Sequence, residues 1–154
     1  MIGRRAGDFV TFDEVIVHEL GHVVSLNQDQ RTDDESLGTY ADDESPFTEN
    51  AYLNRFYQEF WKGRYPGWSA DGGPGQSDVL YEQHPDDFVT DYAATDPVED
   101  FAESFAYFVL GPKPIGAAEK ADKLRFFYAF PELLRDRGFM RQRLSSARMS
   151  LTPP

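Results

Sequence analysis

The sequence predicts a mainly α domain. Successive segments carry apolar residues at the three-and-four spacing that buries one face of a helix, and several start or stop at residue types that cap helices. At 154 residues, 40% hydrophobic and 15% aromatic, the chain is long and apolar enough to close one core of its own. We read residues 1–154 as a single unit: a helix at 11–26, an insert at 27–95, a helix at 96–110, and further helices in 111–154.

From Thr11 to about Leu26, the residues Phe12, Val15, Ile16, Val23 and Leu26 recur at helical spacing, and Thr11 with Glu14 makes a capping box. Asn27 to Ser45 holds Asp29, Asp33, Asp34, Glu35, Asp42, Asp43 and Glu44 with little periodicity, which predicts a long solvated loop. It lacks the glycine and glutamate spacing of a calcium-binding EF-hand. Thr48 to Lys62 is again amphipathic through Tyr52, Leu53, Phe56, Tyr57, Phe60 and Trp61, with Thr48 as cap and a stop before Gly63. Tyr65 to Ser77, with Pro66-Gly67 and Asp71-Gly72-Gly73-Pro74-Gly75, is a loop by its turn residues.

Asp96-Pro97 opens the next helix with an acidic cap and a proline in its first position, and Gly111-Pro112 closes it. Two more helices are expected over Ala117–Phe130 and Pro131–Met149, with breaks at Pro131 and Gly138. The stripe Phe101, Phe105, Phe108 with Phe126, Phe127 and Phe130 reads as packed core. The basic tail Arg135 to Arg148 is expected to dock on, or simply offset, the acidic remainder.

Composition removes several classes of function. Fifteen basic against 27 acidic residues leave a formal charge of −12, which argues against nucleic-acid phosphates and anionic lipid as partners. The absence of cysteine excludes disulfides, thiol nucleophiles, cysteine-based zinc fingers and iron–sulfur clusters, so any metal must be held by His, Asp or Glu. No apolar run approaches a membrane span. The compartment is not written in the residues, and the first eight lead into no signal-type apolar core.

One short motif carries demanding chemistry. In His18-Glu19-Leu20-Gly21-His22, two imidazoles four residues apart stack on one helix face and can share a zinc ion. Glu19, next to the first, can reach a water there as general base without being a ligand. The apolar flanks Val15, Val17, Val23 and Val24 make unpaired imidazoles costly if buried. A catalytic site needs a third ligand and an open position. The metzincin pattern asks for Gly and His where this chain has Ser25 and Gln28, so that class is rejected.

Two sources of the third ligand stay open on spacing alone. One is Asp42 in Gly38-Thr39-Tyr40-Ala41-Asp42, loosely similar to the Gly-Thr element of aspzincins but off by one residue. The other is Glu99, with Glu103 one turn on, in the helix from Asp96 to Leu110. Without the upstream motif, Glu99 would read as an ordinary capping-box residue with Asp96, and Glu103 as a solvated charge. His84, the remaining imidazole, precedes Pro85 in a polar stretch and reads as solvent-exposed, with ligation or transition-state stabilisation as the alternative.

His18-Glu19-Leu20-Gly21-His22, followed by Tyr92-Ala93-Ala94-Thr95-Asp96-Pro97-Val98-Glu99-Asp100-Phe101-Ala102-Glu103, resembles the gluzincin class of zinc metallopeptidases. Within it the pattern is most similar to lethal-factor-like catalytic domains. The resemblance covers only these two helices. It implies His18, His22 and Glu99 on Zn2+, Glu103 as a carboxylate behind a ligand histidine, and Tyr92 near the metal as oxyanion donor. It also implies a zincin-type fold, a protein or peptide substrate, and a secreted or cell-envelope location. Gluzincins usually offer the substrate an edge strand upstream of the zinc helix. The stretch before Thr11 is too short for that sheet, so little or no upstream β-sheet is expected. The chain is then a fragment, a minimal variant, or a protein whose cleft is built from later loops, with the 48–83 insert as a lid or plug.

The expected activity is hydrolysis of peptide bonds by a zinc-activated water, with Glu19 as base. The alternative is a non-catalytic, zinc-stabilised protein-interaction module, and a third reading is an acidic interaction domain without metal. Cleavage specificity and oligomeric state are not encoded in any motif.

Overall fold

A computed structural model describes residues 11–151. About 60% of the chain is helical, and among the described residues there are six α-helices and no strand, so the mainly α expectation holds. The helices are α1 (Phe12–Leu26), α2 (Tyr52–Phe60), α3 (Gln76–Gln83), α4 (Pro97–Leu110), α5 (Glu119–Tyr128) and α6 (Pro131–Leu151). Single 3-10 turns occur at Gln28–Gln30, Glu35–Leu37 and Tyr92–Ala94. Among the described residues no helix is long and apolar enough to cross a membrane.

Helix α4 is the axis of the structure. One side packs on α1, and the others meet α2, α5 and α6. Phe127 of α5 lies at the centre of the core, its ring centroid 5.1, 5.6 and 5.2 Å from those of Phe101, Phe105 and Phe108 on α4. The aromatic stripe is therefore packing, as the spacing predicts, and such edge and offset ring pairs add to the area they bury.

On the other side of α4 the helices come unusually close. Gly21 of α1 faces Ala102 and Phe105 of α4, and a Cβ built on Gly21 would stand 3.0 Å from the Ala102 Cα and 3.3 Å from the Phe105 Cβ. One turn on, buried Ser25 bonds back to the Gly21 carbonyl at 2.9 Å, adding little bulk to the seam.

Both N-terminal caps form as predicted. Thr11 and Glu14 exchange their two capping bonds, at 3.2 and 2.7 Å, and the Asp96 side chain accepts from the Glu99 N–H at 2.8 Å. Elsewhere the helix boundaries depart from expectation. Helix α2 starts at Tyr52 rather than Thr48, because Thr48 closes a turn to Ala51 and the Tyr52 N–H is taken by the Gln30 side chain at 2.8 Å. Helix α3 was not anticipated: it is short, and only Ser77 and Leu80 are buried, so it shows no clear apolar stripe. It begins after Gly75, whose φ of +86° suits glycine.

The predicted break at Gly138 is absent, and α6 runs through it. A glycine costs a helix interior only about 1 kcal/mol, and arginines on either side anchor this stretch. Arg137 Nε donates to the Phe108 carbonyl at 2.7 Å, and Arg141 donates to those of Val109 and Leu110 at 2.9 and 3.0 Å. The basic tail thus docks on the carbonyl end of α4, which has no cation in its own last turn.

The acidic 27–45 segment is more built than a solvated loop. Arg31 forks onto both Asp42 oxygens at 2.8 Å and lies over the Phe47 ring, 4.5 Å from its centroid. Beneath α4 sits an ion pair that the sequence reading did not anticipate. Lys123 and Asp100 are fully buried, with Nζ 2.7 Å from Oδ2. The Trp61 indole N–H donates to the same oxygen at 2.8 Å, and the ammonium stands 4.0 Å from the Phe88 ring centroid.

Two substitutions test this architecture by urea denaturation. Gly21→Ala overfills the α1–α4 seam and is expected to cost about 1–3 kcal/mol. Lys123→Ala leaves Asp100 buried without its cation and is expected to cost about 3–5 kcal/mol. A midpoint unchanged from wild type in either variant contradicts the packing described.

Candidate metal centre

The α1–α4 seam brings the motif residues together. His18 and His22, one turn apart on α1, have ring centroids 4.7 Å apart. Across the seam, Glu99 Oε2 lies 3.1 Å from His18 Nε2 and 3.4 Å from His22 Nε2. One donor atom from each of the three residues lies within 4.8 Å of the others, and no other group among the described residues is so disposed toward a cation. The second carboxylate, Glu103, is 2% exposed and sits behind His18, accepting the Nδ1–H at 2.7 Å through Oε1. Its Oε2 accepts from the Thr90 hydroxyl at 2.6 Å.

Whether these residues suit a metal can be judged from what they leave unsatisfied. Buried Glu99 Oε2, although close to both imidazoles, makes no well-directed hydrogen bond to either, and buried His22 Nδ1 has no partner. Three donors thus converge on a point rather than pairing among themselves. Ligand atoms at zinc bond lengths in a tetrahedron stand about 3.3 Å apart, close to the two imidazole–carboxylate distances. Two nitrogens and one oxygen, without sulfur, form a typical donor set for catalytic zinc.

Electrostatics sharpen the picture. Burial works against a charged His18, but the hydrogen bond to Glu103, then the nearby Glu99 and the charges of both carboxylates, outweigh it and raise the imidazole from 6.5 to about 9. Burial likewise disfavours ionised Glu99, yet the adjacent imidazoles bring it down from 4.5 to about 2. Glu19 is exposed on α1 and has no ion-pair or hydrogen-bond partner among the described residues, so its carboxylate is free to meet a solvent-borne group.

Tyr92 lies on the 3-10 turn that leads into α4, its ring centroid 5.9 Å from that of His18. Burial first, then the nearby Glu99 carboxylate, push its phenol up to about 12, so it remains an O–H donor at neutral pH.

The other candidate ligands are elsewhere. Asp42 is occupied by Arg31. His84, at the end of α3, lies 3.6 Å from Asp87 and packs against Tyr65. The insert buttresses α4 instead of plugging the site: Phe56 and Trp61 meet it from the core side, and Trp68 donates to the Thr95 carbonyl at 3.1 Å. Residues 64–84 enclose a separate cleft of about 790 Å³ lined by Tyr65, Trp68, Pro74 and Leu80. Sequence reading missed Thr90 and the spacing role of Gly21, since each is defined only by a partner far along the chain. No family model, curated protein or solved structure matches this chain.

The charge states give a signed prediction. Zinc takes neutral imidazole, so below about pH 9 it must displace the His18 proton, and affinity is expected to rise with pH and level off above that value. In the metal-free protein, stability from His18 is complete below 6.5 and lost as pH rises through about 9. Stability from Glu99 is complete above 4.5 and lost as pH falls toward about 2. Calorimetric zinc titration near neutral pH, in two buffers of different ionisation enthalpy, is expected to detect roughly one proton released per ion; uptake without proton release contradicts this charge assignment.

Proposed function

We propose that the protein is a zinc-dependent metallopeptidase that hydrolyses peptide bonds, of the gluzincin type its motifs resemble. The observation that carries the proposal is the convergence of His18 and His22 of α1 with Glu99 of α4 within 4.8 Å, beside a Glu19 that α1 presents to solvent. His18, His22 and Glu99 would hold the ion. When bound, zinc polarises the scissile carbonyl and lowers the pKa of a water molecule toward neutrality.

The chain's own residues divide the remaining work. Glu103 accepts the His18 Nδ1–H at 2.7 Å and so keeps Nε2 turned toward Glu99, as the nitrogen that would take the ion once its proton leaves. Glu19 removes the proton of the attacking water and delivers it to the leaving amine nitrogen. Tyr92, held protonated, offers its O–H to the oxygen that gains charge as the carbonyl becomes tetrahedral. The same ligand set on a module that only binds other proteins would need neither an exposed Glu19 nor a phenol beside the ligands.

Glu19→Gln separates the two. In a peptidase this change is expected to leave zinc content near one equivalent while hydrolysis of an unstructured protein such as casein falls at least about 10³-fold, the scale of losing a catalytic base. His22→Ala is expected to lose the zinc itself. Purified protein with less than about a tenth of an equivalent of zinc after metal loading overturns the metal reading. Stoichiometric zinc with no hydrolysis by the wild type favours the binding module.

A further inference from the structure

Thr90 belongs to no motif, yet its hydroxyl lies where two parts of the site meet. The Ala93 N–H donates to Thr90 Oγ1 at 3.1 Å, and Oγ1 in turn donates to Glu103 Oε2 at 2.6 Å. A backbone amide can only donate, so it occupies the acceptor side of the hydroxyl and directs its proton to the carboxylate. The other Glu103 oxygen takes the His18 Nδ1–H. The backbone amide thereby fixes the hydroxyl proton on Oε2, and the carboxylate is held from both sides, by the hydroxyl at one oxygen and by the imidazole N–H at the other. The same amide bond closes the turn from Thr90 to Ala93, which carries Tyr92, and Ala93 and Ala94 are fully buried beneath it.

We propose that Thr90 is a positioning residue that orients both arms of the site: Glu103 with its histidine, and the turn that presents Tyr92. The inference rests on the zinc reading above and adds a residue that no ligand motif includes. It acts at one remove from the ion, through the carboxylate that orients a ligand imidazole. Outer partners of this kind typically alter metal affinity by about 10–100-fold.

The test is zinc affinity at one fixed pH, measured by chelator competition on the full chain. Thr90→Val keeps the branched shape and removes the hydroxyl; it is expected to weaken zinc by about 10–100-fold. Thr90→Ser, which restores the hydroxyl, is expected to stay within a few-fold of wild type. If Thr90 acts through Glu103, then adding Thr90→Val to a Glu103→Gln protein costs little more than Glu103→Gln alone.

Equal affinity of wild type and Thr90→Val, or an undiminished Thr90→Val loss in the Glu103→Gln background, overturns the proposal while leaving the zinc site standing. A wild type that binds no zinc overturns both. Should the valine variant fail to fold, Thr90→Ala and Thr90→Ser differ by the hydroxyl alone, and equal zinc affinity of that pair likewise overturns it.

Discussion

The site depends on one close approach between two helices. At Gly21 the α1 backbone lies against Ala102 and Phe105 of α4 so tightly that a single added carbon would stand 3.0 Å from the Ala102 Cα. That contact sets the distance from which His18 and His22 face Glu99 and Glu103. Imidazole and carboxylate side chains are short, and from helices spaced by larger residues they could not meet at 2.7 to 3.4 Å. The glycine inside the motif is therefore a spacer between the imidazole pair and the carboxylate pair as much as a filler between histidines. Both sets stand on helices, whose backbones hold a geometry more closely than loops do.

The first turns of α4 gather Asp96, Glu99, Asp100 and Glu103, an accumulation of negative charge that would repel itself if left unpartnered. Each has a partner. Asp96 accepts from the Glu99 amide, Glu99 faces the imidazoles, Asp100 is neutralised by Lys123, and Glu103 takes bonds from His18 and Thr90. The positive end of the helix dipole favours the first three, which stand at or within its first turn. Structure and site are thus divided between neighbouring faces of one turn: Asp100 ties α4 to the core, and its sequence neighbour Glu99 turns toward the imidazoles of α1.

Much of this was legible in the residues, and the reasons are local. The helix caps and the α4 boundaries rest on residues three or four apart, so the Thr11–Glu14 and Asp96–Glu99 pairs could be read directly. The pairing of His18 and His22 follows from helix periodicity in the same way. Glu99 could be narrowed to one of two sources by spacing and singled out only by resemblance, because bringing it across to α1 is a tertiary event. What escaped was non-local. The start of α2 is decided by Gln30, the continuity of α6 past Gly138 accompanies anchors on α4, and the hydroxyl of Thr90 gains its role from a carboxylate thirteen residues on. Nothing near Lys123 in sequence signals its burial; Asp100, Trp61 and Phe88 all come from other segments.

The complete enclosure of Lys123 makes it an internal reporter. Its amine can be acylated only in molecules where α5 has parted from α4, so the rate of covalent labelling at this position measures how often that packing opens. Because α4 also supplies Glu99, a cation bridging α4 to α1 would slow the labelling of an amine it never touches, in proportion to the share of openings that dismantle the site. The core lysine thus converts occupancy on one side of α4 into a chemical lifetime on the other.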